Sequence, residues 1–301
     1  MGNEIMKKYV SIDIGGTAIK YGIIAEDGTI LERQECKTHA EQGGAAILTK
    51  AAGIVEQFGK RHELDGICIS TAGIVDTEKG EIIYASPVIP GYTGTQIKKG
   101  MEETFRLPCE VENDVNCAGL SESISGAAKD SKVTLCLTIG TGIGGSIIID
   151  KHVFHGYSNS ACEVGYMHMF DSDFQTLGAS SSLCRKVAER KGEPIEDWSG
   201  FRIFEEAKNG DPICGQAIDE MSEVLGRGIA NLCYVINPQV VVLGGGIMAQ
   251  EEFLRPKIQA ALDRYLIPGI AKNTALRMAK HRNDAGMLGA FYHFRNQRKK
   301  L

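Results

Sequence analysis

The sequence lacks the features that would place it in a membrane, outside the cell or on nucleic acid. No stretch approaches the ~18 consecutive apolar residues that a membrane-spanning helix needs. The opening residues MGNEIMKKYV contain no apolar core of signal-peptide length. Basic residues are not in excess, since the chain has 33 Lys and Arg and 38 Asp and Glu. This balance argues against a nucleic-acid surface. We therefore expect a cytoplasmic protein that binds neither membranes nor nucleic acid.

Paired cysteine motifs are also absent. The chain of 301 residues has nine cysteines but no CxxC pair, so neither a zinc ribbon nor a thioredoxin-type motif is supported. Cys68 and Cys136 lie inside apolar runs, which is typical of small buried thiols in a reducing compartment. Hydrophobic residues make up 43% of the chain, as in folded proteins, and the length favours two domains.

The patterns near the N-terminus predict a mixed α/β domain. They indicate strands over 9–14, 18–24, 29–34 and 64–70 and a helix over 43–58. Asp27-Gly28 predicts a hairpin with a type I′ turn, which needs positive φ at both central residues. The resulting βββαβ order differs from the βαβ start of a simple Rossmann unit.

The opening pattern returns later in the chain. A strand over 133–139, the glycine turn 140–145, a strand over 146–150 and a polar turn repeat the order of the first segment. A helix over 221–236, a buried strand over 240–243 and a helix over 284–297 follow. The repeat predicts two similar α/β domains that flank a cleft, although two ordinary hairpins could also coincide.

The first candidate site is the segment from Asp13 to Lys20. A carboxylate at a strand end, Asp13, can hold Mg²⁺ directly or through water. Gly15 and Gly16 let backbone N–H groups approach a phosphate, Thr17 adds a hydroxyl, and Lys20 can neutralise phosphate charge. The alternative is a structural turn with a surface aspartate.

The second candidate, Gly140-Thr141-Gly142, belongs to a segment that matches the dinucleotide pattern G-x-G-x-x-G. That pattern should open a helix, whereas the residues after Gly145 form a β-branched run that favours a strand. We therefore favour a phosphate-binding hairpin over an NAD turn. No G-x-x-x-x-G-K-[ST] sequence occurs, which excludes a Walker A loop.

The third candidate is Asp114, which lies among amides in Glu112-Asn113-Asp114-Val115-Asn116. Phosphoryl transfer to an alcohol needs a carboxylate that accepts the hydroxyl proton. The alternative is a helix N-cap at Asn113 or Asp114, and one residue can serve both purposes.

Two weaker candidates follow. Gly244, Gly245 and Gly246 would let a flat ligand lie against the backbone, or would simply form a strand-to-helix turn. Glu163 could accept hydrogen bonds from sugar hydroxyls. A metal site at Cys162 and His168 is rejected because no third ligand is close in sequence.

Together, the order of these motifs resembles the ROK family of sugar kinases, in the actin/hexokinase-like ATPase superfamily. The resemblance runs from Tyr9 to about Phe294 and includes STAGIVD at 70–76 and AGMLGA at 285–290. It implies two RNase H-like domains with mixed sheets that flank the cleft. We expect an N-terminal domain over 1–118, completed by the helix 288–301, and a C-terminal domain over 119–287.

The resemblance also implies roles for individual residues. Asp13, Gly15, Gly16 and Thr17 would form the first phosphate loop, Gly140, Thr141 and Gly142 the second, and Gly244 to Gly246 the adenosine pocket. Asp114 would be the general base, and Asn113 and Glu163 would hold other sugar hydroxyls. ATP and Mg²⁺ would be the cofactors and a homodimer the assembly.

The sequence departs from the family at the sugar pocket. Tyr166 stands where the family has a histidine that binds sugar and zinc, and residues 167–184 lack the CxCGxxGC loop. No zinc is therefore expected. Gln175 aligns with a family glutamate and Val88 with an asparagine. These changes favour a variant pocket, for a β-glucoside or an N-acetylated hexosamine.

The sequence thus predicts an ATP-dependent kinase of glucose, a β-glucoside or N-acetylmannosamine. A catalytically silent sugar sensor on the same fold is the alternative, motivated by Tyr166 and Gln175. A repressor of the family would need an N-terminal helix-turn-helix, for which the first strand, near residue 8, leaves no room.

Overall fold

A computed structural model of the chain describes residues 6–299. The strands are β1 (Lys8–Ile14), β2 (Ala18–Ala25), β3 (Ile30–Lys37), β4 (Gly66–Thr71), β5 (Ile74–Asp76), β6 (Glu81–Tyr84), β7 (Cys109–Asn113), β8 (Val133–Ile139), β9 (Ile143–Ile149), β10 (His152–Val153), β11 (His168–Met169), β12 (Ser172–Asp173), β13 (Val240–Gly244) and β14 (Ala275–Met278). The helices are α1 (Gly43–Gly59), α2 (Ile97–Phe105), α3 (Asp114–Ile124), α4 (Phe174–Gly178), α5 (Ser180–Lys191), α6 (Gly200–Lys208), α7 (Pro212–Ile236), α8 (Glu251–Tyr265), α9 (Pro268–Ala271) and α10 (Ala285–Arg298).

The chain forms two compact units, and the predicted mixed α/β class is confirmed. The first unit contains the described residues up to 124, the segment 151–161 and the residues from 283 onward. The second contains 125–150 and 162–282. The domain boundaries expected at 118 and 287 stay a prediction. None of the helices within 6–299 has the length and apolarity required to cross a membrane.

The sheet of the first unit has the strand order β3-β2-β1-β4-β7. The antiparallel meander of β1, β2 and β3 is confirmed, and β4 and β7 add to it in parallel. Ile14 pairs with Thr71, and Thr71 pairs with Asn113. Because these residues are in register, the loops that follow β1, β4 and β7 all leave the sheet at one edge.

The predicted type I′ turn at Asp27-Gly28 is wrong in its geometry, although the hairpin exists. Gly28 has φ of +93°, but Asp27 is not in the positive-φ region. The Asp27 carboxylate instead accepts a hydrogen bond from the backbone N–H of Thr29 at 2.9 Å. Aspartate side chains commonly make this local bond. It stabilises the turn without a positive φ at Asp27.

The sheet of the second unit repeats this arrangement. Its strands β9, β8, β13 and β14 are neighbours in that order, with β8 and β9 antiparallel and β8, β13 and β14 parallel. Gly244 pairs with Thr138, so the loops after β8 and β13 also leave at one edge. The third strand of the repeat, β10, has only two residues.

Helix α7 is longer than the sequence pattern predicts. It begins at Pro212 rather than near residue 221, because Asp211 caps its first turn by accepting a hydrogen bond from Cys214 N–H at 2.9 Å. Proline is favoured at the first helical position. The helix ends where Asn237 adopts a left-handed φ of 51°, just before Pro238.

Helix α10 packs against α3 at Gly289. A Cβ atom at Gly289 would lie 1.9 Å from the carbonyl oxygen of Cys117, so the two backbones approach closely only because the residue is glycine. Ser11 Oγ also donates a hydrogen bond to Met287 O at 2.8 Å. The C-terminal helix is therefore fixed against β1 and α3 within the first unit.

We predict that Gly289→Ala destabilises the protein by about 1–3 kcal/mol or more, because overpacking against backbone cannot be relieved by a side-chain rotation. Gly53→Ala in α1 is the matched control, since a Cβ there meets no atom within 4 Å and alanine favours a helix. The free energy of unfolding from urea titration measures both. Equal stability of the two variants would contradict the close packing.

Candidate functional site

The loop Gly15-Gly16-Thr17 connects β1 to β2 in the first unit. Gly15 N–H donates to Ala18 O at 3.1 Å, and Thr38 Oγ1 donates to Gly15 O at 2.6 Å, which fixes the loop. Gly16 and Thr17 are both exposed. Gly16 has no positive φ, and a Cβ there would meet no atom within 4 Å. The fold itself therefore does not require glycine at this position, whereas close approach of a ligand to the backbone would.

Asp13 lies at the carboxyl end of β1. Its Oδ1 accepts a hydrogen bond from Ser70 Oγ at 2.6 Å. A Cβ at Gly286 would lie 2.3–2.4 Å from the atoms of this carboxyl group, so the group rests against the first turn of α10, where the helix dipole favours negative charge. Burial raises the pKa of Asp13, while Ser70 and Lys20 act in the opposite direction.

Lys20 is opposite Asp13 in the β1–β2 pairing. Its Nζ donates to Asn283 Oδ1 at 3.2 Å, just before α10. Lys20 thus belongs to the strand that follows the first glycine loop, and its ammonium group is held by Asn283, just before the C-terminal helix. The sequence did not predict this contact, because the two residues are far apart in the chain.

Asn113 and Asp114 form the joint between β7 and α3. Asn113 Oδ1 accepts from the N–H groups of Val115 and Asn116 at 2.9 and 3.0 Å, so the predicted N-cap is confirmed for Asn113. Its Nδ2 donates to Gly73 O at 2.9 Å and to Asp114 Oδ1 at 3.0 Å. Val115 N–H also donates to Asp114 Oδ1 at 2.9 Å. One oxygen of Asp114 is therefore held by two donors.

Tyr92 and Thr71 lie near this joint and were not predicted as site residues. Tyr92 is 1% exposed, and its hydroxyl is 2.5 Å from Thr71 Oγ1. Burial raises the pKa of Tyr92 to about 12, and the charge of Asp114 contributes to the shift. The tyrosine therefore stays protonated and can donate a hydrogen bond. Its only sequence signal was its place in the segment ASPVIPGY.

The loop Gly140-Thr141-Gly142 connects β8 to β9 in the second unit. Gly140 N–H donates to Gly142 O at 2.9 Å, and Ser181 Oγ donates to Thr141 O at 2.6 Å. Strand β9 begins at Ile143, which confirms the predicted hairpin and excludes the helix that a dinucleotide turn would open. A Cβ at Gly140 would meet no atom within 4 Å.

Gly244 is the buried last residue of β13, and Gly245 and Gly246 follow it. Strand β13 lies directly beside β8, which leads into the Gly140 loop. Gly245 has φ of +100°, and a Cβ there would lie 2.1 Å from Ile139 O, so the turn itself requires this glycine. Gly246 is exposed, and a Cβ added to it would meet no atom within 4 Å. The structural interpretation therefore applies to Gly245, and the ligand-binding interpretation applies to Gly246.

Gln175 links the second glycine loop to the segment that carries Glu163. Its Oε1 lies 2.8 Å from a Cβ position at Gly142 and 2.9 Å from one at Gly165. Glu163 is an exposed residue, but partial desolvation of its carboxyl group raises its pKa. Tyr166 is 62% exposed. The second unit therefore brings Gln175, the Gly140 loop and Gly165, two residues after Glu163, together.

The residues present suit a magnesium ion held with a nucleotide. Within residues 6–299, no group of three or more His, Cys, Asp or Glu side chains could hold a metal ion. Mg²⁺ commonly uses one or two carboxylates together with phosphate oxygens and water. Asp13, a single carboxylate beside an exposed glycine loop, fits that pattern.

Comparison with known proteins identifies similar chains. The model of the ROK family matches residues 9–297. An uncharacterised protein of Clostridium perfringens is 49% identical over 290 residues, 96% of this chain and 98% of that protein. The β-glucoside kinase of Klebsiella pneumoniae is 32% identical over 295 residues, 95% of this chain and 96% of that protein.

A solved structure is also similar along nearly the whole chain. It is the ROK family glucokinase of Streptomyces griseus in complex with glucose and AMPPNP, which is 26% identical. The match has a TM-score of 0.81 and covers 95% of this chain and 98% of that one.

We predict that Gly16→Ala and Gly140→Ala raise the KM for ATP by on the order of tenfold or more, because a methyl group would occupy the space that a phosphate approaches. Both proteins should unfold at the wild-type temperature, since the added Cβ meets no protein atom within 4 Å. Steady-state kinetics and thermal melts measure the two effects. Unchanged ATP kinetics in both variants would contradict phosphate binding at these loops.

Proposed function

This chain belongs to the ROK family and is an ATP-dependent sugar kinase, and we propose that it phosphorylates a hexose or hexose derivative with Asp114 as the general base. The observation that supports the proposal is that β1, β4 and β7 end at the same edge of the sheet in the first unit. Since β1, β4 and β7 are in parallel register, Asp114 and the Gly15 loop are about 10 Å apart, two strand spacings. A sugar hydroxyl and a terminal phosphate fit within that span.

The proposed roles follow from the local geometry. Val115 N–H and Asn113 Nδ2 hold Asp114 Oδ1, so the carboxylate has a fixed direction in which to accept the proton of the sugar hydroxyl. Positioning and electrostatics supply most of the catalysis in phosphoryl transfer. In this proposal Asp114 removes the proton as the sugar oxygen attacks the γ-phosphate.

The nucleotide is proposed to bind through the glycine loops. Gly15, Gly16 and Thr17 in the first unit and Gly140, Thr141 and Gly142 in the second offer backbone groups to phosphate oxygens. Gly244, Gly245 and Gly246 would line the adenosine pocket. Asp13 would hold Mg²⁺ through phosphate or water, and the ion would neutralise charge on the phosphates. Lys20 would add a further positive charge.

The sugar is proposed to be glucose, a β-glucoside or an N-acetylmannosamine-type hexose, held by Asn113, Glu163 and Gln175. The match to a β-glucoside kinase supports the second of these. Two features favour a substrate with a bulky substituent. Tyr166 is exposed where the family has a histidine, and Val88 is 70% exposed where relatives carry an asparagine.

We also propose a cytoplasmic homodimer. All nine cysteines are free, which suits a reducing compartment. The dimer rests on the family resemblance. It is supported by exposed apolar side chains of the second unit, since Val235 is 83% exposed and Ile267 is 56% exposed. Sedimentation velocity would measure the assembly.

We predict that Asp114→Asn lowers kcat by about 10²-fold or more, which is the usual scale for loss of a general base, with a smaller effect on the KM for ATP. Asn keeps the size of the side chain but cannot accept the proton. Asp171→Asn, at an exposed position, is the matched control. Wild-type turnover in Asp114→Asn would rule out the proposed base.

We predict ADP release above background with at least one sugar of a panel of glucose, N-acetylmannosamine and β-glucosides such as cellobiose. A β-glucoside should give the highest kcat/KM if the exposed Tyr166 region accepts the aglycone. A coupled assay for ADP measures the whole panel. ATP binding without ADP release for every sugar would instead support the silent sensor.

A further inference from the structure

Glu112 is a buried carboxylate next to the proposed base, and phosphoryl transfer does not use it directly. It is 1% exposed and lies at the end of β7. Its Oε1 accepts from Asn113 N–H at 2.8 Å and from Asn116 Nδ2 at 3.0 Å. These two residues belong to the joint that carries Asp114. Contacts that hold the Glu112 carboxylate in place therefore also restrain the joint between β7 and α3.

Two histidines fix the other oxygen of Glu112. His155 Nε2 is 2.6 Å from Oε2, and His293 Nδ1 of helix α10 is 3.3 Å from the same atom. The two rings are nearly perpendicular, with centroids 6.4 Å apart. Burial alone would raise the pKa of Glu112, but His293 and His155 outweigh it and hold the pKa below its usual range. At 2.6 Å from a carboxylate oxygen, His155 Nε2 is assigned as the hydrogen-bond donor.

His155 differs from His293 in its place in the fold. His293 is 3% exposed, whereas the side chain of His155 is 22% exposed. His155 lies in the segment 151–161, in which Ala161 N–H donates to His155 O at 3.1 Å. Lys151 Nζ of the same segment donates to Ser123 O of α3 at 2.5 Å. The segment is thus attached to α3 near its start in the chain and to Glu112 through His155.

A series of hydrogen bonds connects His155 to the proposed base through Glu112 and Asn113. His155 holds Oε2 of Glu112, and Oε1 of the same carboxylate holds Asn113 N–H. The Asn113 side chain in turn donates to Asp114 Oδ1. Each step is a hydrogen bond of 2.6–3.0 Å between groups that are buried or half-buried, so a shift at one end changes the direction of the Asp114 carboxylate.

We propose that His155 is a positioning residue for the kinase reaction, which holds the Asn113–Asp114 joint in its productive geometry through Glu112. The proposal rests on the proposed role of Asp114. It also assigns a task to the segment 151–161, which leads directly into Cys162 and Glu163 in the chain.

The test compares His155→Phe, which removes the donor and keeps an aromatic ring, with His155→Gln, which keeps an N–H donor. His155→Phe should lower kcat by on the order of 10- to 100-fold, the effect of a small misplacement of a catalytic group. The KM for ATP should stay within about threefold of wild type, because the glycine loops are unchanged. His155→Gln should restore most of the lost kcat. His152→Phe, at an exposed position of the same segment, is the control.

A double-mutant cycle separates positioning from a general structural defect. In the Asp114→Asn background, His155→Phe should cause no further loss of residual turnover, since residues that act through one group are not additive. Wild-type kcat in His155→Phe, or an equal loss in both backgrounds, would overturn the proposal. His155→Asn, which is too short to span the same distance, replaces His155→Phe if that variant does not fold.

The two proposals fail in different ways. Wild-type turnover of Asp114→Asn alone would contradict the assignment of the base. Low turnover of Asp114→Asn with normal turnover of His155→Phe would contradict only the role of His155.

Discussion

The parallel register of β1, β4 and β7 is the constraint on which the first unit depends. Each of these strands ends at the same edge of the sheet, so Asp13, Ser70 and Asn113 are brought together although they are distant in the chain. Ser70 then donates to Asp13, and Asp114 begins a helix one residue beyond the edge. A one-residue slip would turn each of these side chains to the opposite face. The strand register therefore positions the residues of the candidate site as well as the side chains of the core.

The glycines of the molecule divide into two physical classes. At Gly289 an added Cβ would overlap the backbone of α3, so the fold requires glycine, and at Gly286 it would displace the carboxyl group of Asp13. At Gly16, Gly140 and Gly246 no protein atom is within 4 Å of an added Cβ and φ is not positive. The fold does not require glycine at these positions, as it also does not at Gly53 in α1, and ligand approach is the reason that we propose for the three loop positions. The distinction thus separates glycines that packing requires from glycines that packing does not require.

Local patterns were sufficient to predict β1 to β4, β8 and β13, the hairpin at the Gly140 loop and a cap at Asn113 or Asp114, because each depends on residues close in sequence. Strands β5, β6, β7, β11, β12 and β14 were not predicted, and β9 begins at Ile143 rather than at Ser146. The start of α7 was misplaced because the cap at Asp211 was not weighed against the apolar stripe. The contacts of Gly286 with Asp13 and of His155 and His293 with Glu112 join residues far apart in the chain. No spacing rule reveals such contacts, since they arise only when α10 and the segment 151–161 pack on β7 and α3.

Asn113 shows how folding and substrate binding compete for the same atoms. Both protons of its Nδ2 group are donated, to Gly73 O and to Asp114 Oδ1, and its Oδ1 accepts from two backbone N–H groups. A sugar hydroxyl that binds Asn113 must therefore replace one of these bonds. If it replaces the bond to Gly73 O, Asn113 Nδ2 still donates to Asp114 Oδ1 and the carboxylate of the proposed base keeps its direction. The bond from Val115 N–H supports the same direction, so Asn113 could bind a sugar hydroxyl and still position Asp114.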